Sequence, residues 1–116
     1  MSLVVTILTV VLTVALVVSS LADLAKVPSV VEALNRLGVP ASMLPVLASI
    51  KLLGAVGLVA GLWSTTIQVA AGAAVGLYFA MAVAMHVRAG DSRSDTGAAM
   101  VLLSVSVAHL LTALAA

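Results

Sequence analysis

MLPVLASIKLLGAVGLVAGL, residues 43–62, is the stretch on which the reading of the whole chain turns. It is apolar and of membrane-spanning length, yet it carries one full positive charge, Lys51, about 12 Å along a helix that rises 1.5 Å per residue. A charge at that depth in hydrocarbon costs roughly 3 kcal/mol or more, so other residues must come to meet it. Gly54, Gly57 and Gly61 on the same stretch let a neighbouring helix approach closely. The stretch reads as the hub of a small membrane bundle.

Composition supports lipid as the solvent. Of the 116 residues, 64% are hydrophobic and 8% are charged, against about 25% charged in soluble domains. A soluble domain this small has no interior large enough for so much apolar surface. The net charge is +1 and no basic stripe is present, so nucleic acid is excluded as a partner. The absence of cysteine removes disulfides, dithiol redox chemistry, thiolate metal sites and cysteine nucleophiles together.

The expected fold class is all-α: an integral membrane antiparallel four-helix bundle, forming a single transmembrane domain over residues 1–116. Leu3–Ala22 is long enough for the first span. It reads as a retained helix rather than a signal peptide, because its start lacks Lys or Arg and its apolar run exceeds the usual signal length. Thr6, Thr9 and Thr13 recur on one side of it. Their hydroxyls are expected to bond back to helix carbonyls, and a polar stripe facing the interior is the alternative. A short amphipathic helix follows between spans one and two, with Ser29 and Glu32 at capping-box spacing and Gly38 and Pro40 as stop signals. It should lie at the membrane surface or cover one end of the bundle.

Ser42 is placed to cap the second span, Met43–Leu62. The uncharged run from Leu52 to Met85 would be about 51 Å long as one helix, too long for a 30 Å hydrocarbon core. It must break, and Trp63-Ser64-Thr65-Thr66 is the place, making spans two and three a hairpin. The third span is Ile67–Val87, with Gly72 and Gly76 as a small-residue pair and Tyr78 near mid-depth, where a phenol calls for a partner. Asp95 or Ser94 is placed to cap the fourth span, Thr96–Ala115, whose polar residues are Ser104, Ser106, His109 and Thr112. Lys26, Arg36, Arg88 and Arg93 all fall on one side of such a bundle. The positive-inside rule therefore puts the charged loops in the cytoplasm and the termini outside, and the expected location is a bacterial inner or plasma membrane.

This arrangement gathers Asp23, Lys51, His86, Arg88 and Asp91 at one end. Asp23 or Asp91 is the expected counter-ion of Lys51, which can snorkel toward them. Lys51 reads equally as a structural ion pair and as a functional charge. His86 reads equally as an interfacial residue and as a proton carrier or ligand partner, while helix-end electrostatics account for most of the signal of Arg88 and Asp91. His109 lies toward the opposite end, expected to be a satisfied interior histidine meeting the threonine stripe. The two histidines are thus too far apart in depth to share a metal, and no metal site is expected.

The His86-Val87-Arg88-Ala89-Gly90-Asp91 segment resembles the H-x-R-x-G-D signature at the end of the third helix in the DoxX-like family. Leu37-Gly38-Val39-Pro40 resembles that family's loop motif before helix two. Ile50-Lys51-Leu52-Leu53-Gly54-Ala55, followed by Gly61-Leu62, resembles its second helix. The resemblance runs from about Ala15 to Leu111. Many members carry an acidic residue where this chain has Lys51, so a carboxylate-based site is not carried over. The resemblance implies a four-helix integral membrane protein with links to membrane redox complexes, including quinone-linked thiosulfate oxidation; that association is an analogy at the level of fold.

Four functional readings follow. The first is a small accessory subunit docking a larger redox or lipid-modifying enzyme. It would shape a non-covalent quinone or lipid pocket around Lys51 and His86, with Arg88, Asp91, Asp23 and Tyr78 as further ligand-binding or proton-exchange candidates. The second is a structural or assembly subunit without ligand, held by glycine-lined helix contacts to a larger membrane-complex subunit or in a homo-oligomer. The third is a small proton-coupled transporter, disfavoured because residues 1–22 contain no acid. A stand-alone enzyme using Lys51 as base or nucleophile is the fourth, with no substrate identified.

Overall fold

The computed structural model of the chain describes residues 2–90 and 93–115, with the side chains of residues 93–95 left out. Every regular element among the described residues is helical: α1 (Leu3–Leu24), α2 (Pro28–Arg36), α3 (Leu44–Ala60), α4 (Thr65–Arg88) and α5 (Arg93–Ala115), with single 3₁₀ turns at Ala41–Met43 and Gly61–Trp63. Four of the helices are long and apolar enough to cross a membrane. The long axis of the molecule is 40 Å, which matches a bilayer with its interfacial regions.

The spans form a ring. α1 packs on α3 and α5, and α4 packs on the same two. Leu12 and Leu16 from α1, Ala55 and Leu58 from α3, and Val75 and Phe79 from α4 meet in the middle. Valine, leucine and isoleucine side chains such as Val14, Leu53, Leu77 and Leu111 face outward, as lipid allows. The short α2 buries Leu34 and packs against α1 and the first 3₁₀ turn, below the charged end of the bundle.

The hairpin between α3 and α4 forms where its sequence breaks. Ser64 leaves the helical conformation, and its Oγ accepts a hydrogen bond from the Ile67 amide at 3.3 Å, which caps α4. The preceding turn is tight enough that a Cβ on Gly61 would lie 2.6 Å from the Cα of Gln68. Only a residue without a side chain permits that approach.

Several helix ends differ from the sequence expectation. The Ser29–Glu32 capping box is not formed. Pro28 is the first residue of α2, and the amides of Val30 and Val31 both donate to the Val27 carbonyl, so no side chain is needed there. Ser42 does not cap span two; it sits inside a 3₁₀ turn whose Met43 amide donates to the Pro40 carbonyl. α5 begins by Arg93, so Ser94 and Asp95 fall within the helix rather than before it. At the other end of α1, Lys26 takes a left-handed conformation (φ 51°), and the Val27 amide reaches back to the Ala22 carbonyl. Gly38 does the same after α2, with the Val39 amide on the Leu34 carbonyl. Lysine thus occupies a position that glycine usually fills.

Candidate functional site

The hydroxyls of the spans show where polar groups do something other than satisfy their own helix. Thr6, Ser20, Ser49, Ser104, Ser106 and Thr112 each donate to a carbonyl three or four residues back, which removes the cost of a hydroxyl in lipid. Ser19 is different. Its Oγ accepts from Lys51 Nζ at 2.7 Å.

Lys51 reaches back from the second turn of α3 toward the end of α1. Its ammonium also donates to Asp23 Oδ2 at 2.8 Å, in an ion pair whose side chains are 11% and 3% exposed. The Tyr78 ring of α4 lies beneath the same ammonium, 5.9 Å from nitrogen to ring centre. Three spans are tied together at this point. Tyr78 is half-buried and its ring meets Phe79 edge-on at 5.5 Å. The expected partner for its phenol is not found among the described residues: the hydroxyl makes no hydrogen bond. Tyr78 sits at the edge of the core, packed against it on one side and lining a groove on the other.

That groove lies between α3 and α4 and has a volume of about 430 Å³. Its walls are Gly54, Gly57, Ala70, Ala71 and Ala74, its floor is Leu16 and Val75, and Ile50, Leu53 and Ile67 form the rim. Small residues let the two helices touch, with a Cβ on Gly57 only 3.2 Å from that of Ala71, and leave a furrow along the seam that no large side chain fills. Lys51 and Tyr78 close the end nearest the charged loops. From Ile67 to Tyr78 the groove follows α4 for about 16 Å.

The remaining candidates lie elsewhere. His86, half-buried in the last turn of α4, stands two turns beyond Tyr78, and the exposed Arg88 ends the helix. Neither lines the groove. Asp91 lies outside the described residues.

A second polar layer occupies the opposite half of the bundle. Thr9 donates to the Val5 carbonyl at 2.7 Å and accepts from Gln68 Nε2 at 3.0 Å, linking α1 and α4 across the ring. His109 is fully buried against Gly72, where a Cβ would come within 2.7 Å of Nδ1. Both alternatives for the threonine stripe are realised at Thr9, which bonds to its own helix and faces the interior. The expectation of a satisfied histidine is not met: neither ring nitrogen of His109 has a hydrogen-bond partner among the described residues, and nor does Thr13 Oγ1. Packing on a glycine admits the ring but brings it no polar neighbour.

Ser19 and Gln68 make interhelical contacts that sequence alone does not mark. Both are uncharged, and hydropathy marks only charges clearly within a span. Gln68 nevertheless carries a signal, being an amide four residues past a helix cap where a Val or Leu would be ordinary.

A polytopic bundle of four membrane-crossing helices with a polar-ended groove is the class these features define. Residues 7–109 match the DoxX-like family, and the chain belongs to that family. No curated protein and no solved structure matches it significantly.

Proposed function

We propose that this DoxX-like protein is a small accessory subunit of a membrane redox or lipid- and quinone-handling complex, and that the α3/α4 groove holds the tail of a lipid or quinone with its head at Lys51 and Tyr78. The observation that carries this reading is the groove itself. It is a single apolar channel, about 430 Å³ in volume, within the range of ligand pockets, with its polar groups gathered at one end. Membrane amphiphiles have that same division. His86 and Arg88 lie beyond the groove's polar end on α4, toward the charged loops, where a partner subunit would reach the ligand head; these loops are proposed to lie in the cytoplasm of a bacterium.

The purely structural reading has less support from the packing. Gly54 faces Val75 and Leu16, Gly57 faces Ala71, and Gly72 faces His109, so these glycines serve contacts within the chain.

Native purification in mild detergent, with mass spectrometry of everything retained, tests the proposal. A larger subunit in fixed stoichiometry together with a lipid or quinone is the expected result. Ala74→Phe, which fills the groove from its wall, should remove the small molecule. Retention of the subunit with no small molecule in the unaltered chain would favour the assembly reading.

A further inference from the structure

The groove's polar end has a charge balance that restricts what it can hold. Lys51 brings one positive charge to the groove and Asp23 brings one negative charge to Lys51, at 2.8 Å. The pair is closed on itself. An anionic head at this end would have to displace Asp23, leaving a carboxylate that is 3% exposed without its cation, a costly exchange in low dielectric. A cationic head would meet the ammonium of Lys51 directly.

Hydrogen-bonding capacity remains at the same place. An ammonium has three N–H donors, and those of Lys51 go to Ser19 Oγ and Asp23 Oδ2, with one left. The Tyr78 hydroxyl is likewise without a hydrogen bond among the described residues. Two donors with no net charge call for an uncharged oxygen acceptor.

We infer that the α3/α4 groove selects amphiphiles with an uncharged, carbonyl-bearing head, and that the Lys51–Asp23 pair acts as the charge filter. This rests on the groove being a ligand site, as proposed above, and adds which chemistry it accepts. An ester of a polyol and a quinone share that chemistry.

Tyr78 is the one tyrosine of the chain, so a ring-labelled tyrosine reports on this end alone. The full chain, carrying 13C at the tyrosine ring carbon that bears the hydroxyl, is placed in phosphatidylcholine nanodiscs. It is then titrated with dodecanoylglycerol, a decyl-substituted benzoquinone, dodecanoate and dodecyltrimethylammonium. A saturable shift of the Tyr78 signal with the glycerol ester or the quinone is expected, at about tenfold lower concentration than with either charged probe. Whichever of the two neutral probes binds more tightly identifies the source. Dodecanoate binding as tightly as the neutral probes would overturn the inference.

Two variants separate the failures. Ala74→Phe should abolish the shift with every probe; if all four still act on Tyr78, the groove is not the site and the proposed function fails with it. Asp23→Asn leaves Lys51 uncompensated and should move the preference to dodecanoate. An unchanged ranking in that variant overturns the charge filter while leaving the groove intact. Should Asp23→Asn not fold, the ranking in the unaltered chain decides by itself.

Discussion

The two polar layers of this bundle solve the same problem in opposite ways. Near the charged loops, Lys51, Asp23, Ser19 and Tyr78 put full charges in the membrane and neutralise them locally, and the cluster opens onto a groove. In the other half, Thr9, Gln68 and His109 carry no full charge, and all three are closed off from the surface. The difference teaches where each kind of polar group is tolerated. A lysine has a long stem and reaches toward an end of its span, where a carboxylate at the close of a neighbouring helix can meet it. A neutral amide or imidazole has no such reach and survives deeper, provided the helices come close enough to exclude everything else.

The largest effect expected from breaking this contrast is at Asp23. Asp23→Ala leaves a buried ammonium with no counter-ion and should destabilise the fold by about 3–5 kcal/mol. Joint replacement by Lys51→Met and Asp23→Leu should recover most of that loss, because an apolar pair carries no desolvation cost. Thermal unfolding in detergent, followed by circular dichroism, checks both; a double variant as unstable as the single one would mean that the pair fixes helix register through its own geometry.

The neutral layer is tested through its close packing. Gly72→Ala drives a methyl into the His109 ring and should cost about 1–3 kcal/mol. His109→Ala in the same chain should restore much of it, so the two changes are strongly non-additive in a double-mutant cycle. Additive losses would show that the ring moves away freely and that the layer is looser than its burial indicates.

Gln68→Leu gives the smallest expected change. Removing the hydrogen bond to Thr9 costs about 0.6 kcal/mol on average for such bonds in membranes, and Thr9 keeps its bond to the Val5 carbonyl. If the measured loss approaches that of Asp23→Ala, the neutral layer rather than the ion pair is the main tie between helices.

Much of the architecture was legible in the order of residues. The break at Trp63–Thr66 followed from length alone, since no helix running from Leu52 to Met85 fits a bilayer. That Lys51 needs a carboxylate from the charged end, Asp23 or Asp91, followed from topology and the cost of an unpaired charge; the structure pairs it with Asp23. Helix starts were less legible. Ser29, Ser42 and Asp95 have the right chemistry for caps, but Pro28 and the 3₁₀ turn at Ala41–Met43 met the backbone's needs first, and α5 starts earlier than its candidate caps. Ser19 and Gln68 are not legible in the same way, because an uncharged polar residue in a span ordinarily bonds to its own helix.

The sequence by itself determined that this chain lives in lipid, that it crosses four times, and that its charges collect at one end. Those properties depend on length, hydropathy and charge, which are additive along a chain. Only the tertiary structure decided that the α3/α4 seam carries a groove, that Tyr78 lines it with a hydroxyl unbonded among the described residues, and that Gly72 makes room for a histidine. Those depend on which side chains of different helices share the same few ångströms, and that is set by rotation and tilt about each helix axis, to which hydropathy is blind.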